Sequence, residues 1–184
     1  MRPAFEALFG IDDAMGDVVA KATEPALAAI KLAWWRERLE ELDAGKVPAE
    51  PRLQAAAAEL LTRDVAGASL AELEEGWRAL LDAEPDPERV AARGSKLFGM
   101  ASSLLGAADP MVAMAGRLYV LVRLGHRPPV PSELADHRFA RPLRPLTALA
   151  ALAVRGTRLA KPEPEGTPAR AWVLLRHRFT GRVA

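Results

Sequence analysis

Apolar residues recur every three to four positions over most of the chain, and each recurrence stops at Pro, Gly or a short polar residue suited to a helix end. This pattern predicts helices over residues 3 to 21, 24 to 43, 51 to 63, 70 to 82, 87 to 106, 110 to 125, 142 to 160 and 168 to 179. The punctuation agrees. Asp86-Pro87 and Asp109-Pro110 each set a good N-cap before a Pro suited to the first helical position, Ser69 with Glu72 reads as a capping box, and Thr23 precedes Glu24-Pro25. No segment alternates apolar and polar residues with β-branched enrichment, so no sheet is predicted. Pro-rich loops fall at His126 to Pro131 and Lys161 to Pro168, and no repeat or domain-scale linker interrupts residues 1–184. A single all-α domain is the expectation.

Helix phase singles out particular side chains. On the first helix Phe5, Leu8, Met15 and Val19 form the apolar stripe with Asp12 at its centre, whereas Glu6, Asp13 and Asp17 fall nearly opposite. A carboxylate on a buried face must find a partner, so Asp12 marks either a polar cavity or a salt bridge to Arg36 or Arg38 of the next helix. On that next helix Trp34 and Trp35 are about 100° apart. Leu32, Leu39 and Leu42 group on the side of Trp35, which makes Trp35 the core ring and Trp34 the candidate wall of a groove. The four Trp residues, at 34, 35, 77 and 172, otherwise read as packing anchors rather than a ligand cage.

A chain of 184 residues, half of them hydrophobic, is large enough for one core and too apolar for wholesale disorder. Without Cys it has no disulfide framework, thiol nucleophile or thiolate metal site. Met1 to Glu6 lacks the apolar stretch of a signal peptide, and the apolar tracts near Val120 to Leu124 and Leu146 to Val154 are too short to span a bilayer, so a cytoplasmic protein is expected. The net charge of +1 hides an asymmetry: from Arg138 onward ten Arg and Lys face only Glu163 and Glu165. The basic end is either a solvated face or a surface for anionic headgroups or an acidic partner, with Arg176 and Arg178 as its candidates. Nucleic acid is not the expected partner, because aromatic residues make up 5% of the chain and do not interleave with the basic ones. His126, His137 and His177 lack metal-ligand spacing, and no nucleophile elbow, P-loop or dinucleotide fingerprint is present.

The run from Glu24-Pro25 to Trp34-Trp35-Arg36-Glu37-Arg38-Leu39 resembles the segment after the first helix of squalene/phytoene synthase-like proteins, in particular the branch containing mitochondrial complex I assembly factors and their alphaproteobacterial relatives. Ala7-Leu8-Phe9-Gly10-Ile11 is similar to the opening of that family's first aspartate-bearing helix, and Thr23-Glu24-Pro25 to its Ser-Glu-Pro turn. Arg176-His177-Arg178-Phe179-Thr180-Gly181-Arg182 looks like the closing segment of bacterial homologues, while the middle of the chain matches by pattern alone.

The resemblance implies an all-α bundle of the isoprenoid-synthase type, trimmed relative to active synthases. Active members carry two DxxxD motifs, whose carboxylates at i and i+4 share Mg²⁺ ions that hold a prenyl diphosphate. Asp13 and Asp17 satisfy the string, but alignment on Leu8-Phe9 puts the family's outer aspartates at Gly16 and Ala20. An ion pair of Asp17 with Lys21 is the competing reading. Where the second motif is expected, Val120, Arg123 and Arg127 stand instead. Arg123 and Arg127 cannot ligate Mg²⁺, although arginines bind phosphate directly or pair across a bundle. The resemblance therefore implies a degenerate, non-catalytic scaffold that binds a protein partner, an anionic lipid or a prenyl ligand, needs no cofactor, touches the inner membrane peripherally and serves respiratory-complex assembly. The alternative is an Mg²⁺-dependent prenyl transferase joining two prenyl diphosphates head to head, with Asp13 and Asp17 as metal ligands.

Overall fold

The computed structural model describes residues 1–161 and 163–184, and Pro162 of the predicted Lys161 to Pro168 loop lies outside the described residues. Among the described residues the chain is helical throughout, with no strand. The helices are α1 (Arg2–Ala20), α2 (Pro25–Leu42), α3 (Pro51–Glu59), α4 (Gly67–Ala71), α5 (Leu73–Arg78), α6 (Pro87–Leu104), α7 (Met111–Arg123), α8 (Ser132–Asp136), α9 (Arg144–Thr157) and α10 (Pro168–Thr180). The all-α expectation holds, and the boundaries of the long helices differ from the periodicity by at most a few residues.

The short elements depart further. The predicted 51 to 63 helix breaks at Leu60 into a 3₁₀ turn over Leu61–Arg63, and Asp64 then takes a left-handed conformation at φ 60°. The predicted 70 to 82 helix is two helices and a second 3₁₀ turn, Ala79–Leu81. Ser69 is no N-cap, because α4 already begins at Gly67; its first amides are taken by Asp43, whose Oδ1 and Oδ2 accept from Gly67 N at 2.6 Å and Ala68 N at 2.9 Å. The cap comes from a residue distant in sequence, which local spacing does not reveal. Asp86 does cap α6, accepting from Glu88 N at 2.8 Å, and Asp109 accepts from Met111 N at 2.8 Å. The short α8 was not anticipated.

Packing runs from α2, with α1, α3, α4 and α5, through α6 and α7 to α9, and then to α10, whose principal neighbour is α9. The α6–α7 contact is the most extensive. It is made by Gly94 and Gly116, where a Cβ on either would run into the other's carbonyl, so the two backbones touch. The core they bury includes Leu8, Ile11, Met15, Leu32, Leu39, Phe98 and Phe139.

One polar cluster crosses this core. Asp12 and Arg93, each 2% exposed, meet where α1, α5 and α6 converge. Arg93 Nη1 donates to Asp12 Oδ1 and Oδ2 at 2.5 and 2.7 Å, and Trp77 Nε1 donates to Oδ1 at 2.8 Å. The guanidinium carbon lies 3.7 Å from the Trp77 ring centroid, a cation–π contact. Asp12 thus accepts three hydrogen bonds from two different helices, partners that a buried carboxylate must find.

Removing one partner strands the other charge in the core. Asp12→Ala is expected to cost about 3–5 kcal/mol in denaturant unfolding. The double change Asp12→Leu, Arg93→Met should cost clearly less than the sum of the single ones. Additive losses would mean that the pair does not act as a unit.

Candidate functional site

The carboxylates expected at a metal site are each held by a cation. Asp13 accepts from Arg123 Nη2 at 3.0 Å, and Arg123 Nη1 donates to the Tyr119 hydroxyl at 2.9 Å. Asp17 pairs with Lys21 at 3.0 Å, one turn along the same helix. Both are half exposed on the face opposite Asp12, and among the described residues no three His, Asp or Glu side chains converge as a metal-holding group. Asp12 is inside the bundle as its helix phase requires, but its partner is Arg93. Arg36 instead bonds Glu40 at 3.0 Å and Arg38 bonds Glu41 at 2.8 Å, so neither reaches Asp12.

Arg123 and Arg127 do come together. They line a concavity of about 510 Å³ between α7 and α9 with Arg155, Arg170 and His126 on a wall of Val122, Leu152 and Leu159. This space already holds its own anion: Glu163 accepts from Arg155 Nε and Nη2 at 2.6 and 3.1 Å and from the Thr167 hydroxyl at 2.8 Å. The bond from Arg155 and the added one from Thr167 hold the Glu163 carboxyl below its usual range. Arg127 Nη2 donates to the Ala160 carbonyl at 2.5 Å, a tie that secures the start of the loop.

The larger concavity, about 600 Å³, lies at the N-terminal end of α9, against the end of α10. Arg141, Arg144 and Arg178 edge it, and Pro145, Ala148, Leu174 and Phe179 supply apolar surface. Sequence explains the assembly. Gly181, at φ 75°, ends α10 in the left-handed conformation that L side chains rarely adopt. The tail then turns back, so that Phe139 N donates to the Gly181 carbonyl at 2.9 Å and Val183 is buried. Arg144 closes the corner, donating from Nε to the Phe139 carbonyl at 3.1 Å and from Nη1 to the Arg178 and Phe179 carbonyls at 2.7 and 3.1 Å. A cation satisfies the orphan carbonyls at the end of α10 and favours that end's dipole.

Beneath the groove, buried His177 anchors α10 to α9. Its Nδ1 is 2.8 Å from the Arg182 carbonyl, which can only accept, so Nδ1 carries a proton. Nε2 is 2.9 Å from the Thr147 hydroxyl, whose single proton goes either to Nε2 or to the Leu143 carbonyl 3.1 Å away. Burial pushes the His177 pKa down, with the Arg144 and Arg176 charges adding to the effect, so the neutral form is favoured.

The outer face of α10 is the unexpected part. Trp172 and Phe179 are 65% and 70% exposed, and with Leu175 they form an i, i+3, i+7 stripe opposite His177. Arg176 and Arg178 flank it. The expectation that every Trp anchors packing holds for Trp35 and Trp77 and fails for Trp172, because α10 packs chiefly on α9 and leaves this side uncovered. Trp34 is the outer member of its pair, 42% exposed and edge-on to Trp35 at 5.4 Å. It does not share a pocket with Arg176 or Arg178: α2 packs on α1, α4 and α5, whereas Arg176 and Arg178 line concavities built by α9 and α10. Sequence reasoning missed Arg141, Arg144, Trp172 and Phe179; the stripe spacing of 172, 175 and 179 was the available signal.

A depressed folded-state pKa means that the unfolded chain takes up a proton at His177 before the folded chain does. The stability from neutral His177 is complete above its ordinary value of 6.5 and is lost as pH falls below it toward the folded value. Between about pH 7 and pH 5 the parent's melting temperature should therefore fall more than that of His177→Gln. Parallel pH profiles for the two proteins would contradict the assignment.

No family model, no curated protein and no solved structure matches this chain.

Proposed function

We propose that the protein is a non-catalytic helical scaffold, a degenerate squalene/phytoene synthase-like protein, that docks peripherally on an anionic membrane face. The observation that carries this reading is the α10 stripe: Trp172, Leu175 and Phe179 stand outward in one line with Arg176 and Arg178 beside them. Exposed aromatic rings insert at the headgroup boundary while flanking arginines meet anionic headgroups, each cation contributing about 1 kcal/mol near such a surface. No helix among the described residues is long and apolar enough to cross a bilayer, so the contact proposed is a peripheral one.

Two further observations support the loss of chemistry. Arg123 and Lys21 engage Asp13 and Asp17, so metal sharing would first break both pairs. At Gly16, where the resemblance places a family aspartate, an added Cβ would come 2.8 Å from the Trp77 ring. The ring that completes the Asp12 and Arg93 cluster occupies the room an aspartate would need. The prenyl transferase alternative must displace these contacts. A role in respiratory-complex assembly, with exposed Trp34 toward a protein partner, follows from the sequence resemblance.

Vesicle co-sedimentation tests the docking. Binding to phosphatidylglycerol vesicles and none to phosphatidylcholine vesicles is expected, with strong weakening as salt is raised. Trp172→Ser with Phe179→Ser should abolish it while leaving the helical circular dichroism unchanged, since both rings lie outside the core. Binding indifferent to salt and to the double change would reject the reading. In a separate titration, Mg²⁺ with a non-hydrolysable prenyl diphosphate should leave the melting temperature unchanged, whereas stabilisation abolished by Asp13→Asn would favour the enzyme alternative.

A further inference from the structure

We infer that the groove between α9 and the end of α10 seats one anionic phospholipid, its phosphate diester at Arg141 and Arg178 and the start of one acyl chain along Ala148, Leu174 and Phe179. The inference rests on the membrane-docking reading and adds a ligand site to it.

Charge is the first argument. Among the described residues nine arginines stand within ion-pair distance of a carboxylate. None of the three arginines edging this groove does, and no carboxylate lines it. Arg144 spends its Nε and Nη1 donors on the backbone carbonyls of Phe139, Arg178 and Phe179, which fixes the rim without neutralising it. The guanidinium groups of Arg141 and Arg178 keep their donors for a ligand anion, and the oxygens of a phosphate diester, like those of a carboxylate, match them.

Shape and lining distinguish the ligand. The volume of about 600 Å³ is ordinary for a small-molecule site and far exceeds a bare phosphate. The remaining surface is Pro145, Ala148, Leu174 and Phe179, which offers a sugar or a base nothing to bond. The one further polar side chain, His177, has both ring nitrogens engaged by Thr147 and Arg182. Phe179 belongs both to the groove and to the exposed stripe, so a lipid seated here keeps its tail beside the surface that meets the bilayer.

The contrasting α7–α9 concavity sharpens the point. There Glu163 already occupies the Arg155 guanidinium and Arg123 is paired with Asp13, so that concavity carries its own anion. The α9–α10 groove has the same sign of charge and no internal anion.

The test uses monomeric short-chain lipids below their micelle concentration, followed by calorimetric titration. Dihexanoyl phosphatidylglycerol should bind saturably, dihexanoyl phosphatidylcholine and inorganic phosphate at least about tenfold more weakly, and Arg141→Gln and Arg178→Gln should each weaken the first by about tenfold. Ala148→Trp, which fills the groove, should abolish binding; should that variant fail to fold, the two arginine changes on the exposed rim still decide. Equal affinity for inorganic phosphate, or affinity unmoved by both arginine changes, overturns the lipid seat. A Trp172→Ser, Leu175→Ser protein separates the two readings, since neither residue lines the groove and it should lose vesicles while still binding the monomeric anionic lipid. Vesicle binding by the parent without monomer binding defeats the seat and leaves docking standing, whereas monomer binding without vesicle binding defeats docking and leaves the seat.

Discussion

The bundle depends on one buried ion pair. Asp12 and Arg93 are 81 residues apart in sequence, and their bond ties the first helix to the sixth. A charge pair in a core is costly to bury, and its geometry must be good to offset the loss of water. Here the chain supplies that geometry with small residues. Gly16 leaves room for the Trp77 ring, and Gly76 lets α5 approach the Arg93 side chain so closely that a Cβ there would collide with it. Trp77 then satisfies Asp12 from one side and lies against the guanidinium from the other. Two glycines, one ring and one arginine make a unit in which no member is replaceable alone.

Neither this unit nor the nearby part of α5 is fully satisfied. Arg93 Nε and Glu74 Oε1 are buried without a hydrogen-bond partner, and the exposed Arg36 approaches Glu74 only to 3.9 Å. Such groups carry the desolvation penalty of an unmade bond, about 1–3 kcal/mol each. An apolar core of equal volume would avoid that cost. What the ionic arrangement supplies instead is registry, since Asp12 can be satisfied only when α1, α5 and α6 adopt one relative placement. The Gly94 and Gly116 contact then passes that placement to α7.

This division explains what could be read from the chain. Asp12 was legible because it sits at the centre of a 3.6-residue stripe, and the same periodicity separated Trp35 from Trp34. Arg93 was not legible as the partner: α6 has its own apolar stripe, and nothing local says that an arginine within it faces a carboxylate rather than solvent. Asp43 capping α4 failed to show for the same reason, since its amides lie 24 and 25 residues on. Helix existence is a local property, whereas the choice of partner is a property of packing. Trp172 is the inverse case. Its stripe is regular, but amphipathicity alone does not say which face of a helix is covered, and α10 turns its Val173 and His177 side inward to α9.

That inversion gives the C-terminal end its character. The only fully buried side chain of α10 is His177: the helix anchors itself with this histidine, a threonine hydroxyl, backbone bonds and a half-buried Val173, and keeps Trp172, Leu175 and Phe179 outside. The polar anchoring works because Gly181 turns the tail under the helix and Arg144 takes the freed carbonyls, so the end of α10 is fixed without using its aromatic rings. Exposed apolar area of this kind costs solubility and contributes nothing to the fold. Its presence beside cations that no carboxylate neutralises is the observation on which both the docking proposal and the proposed α9–α10 seat rest.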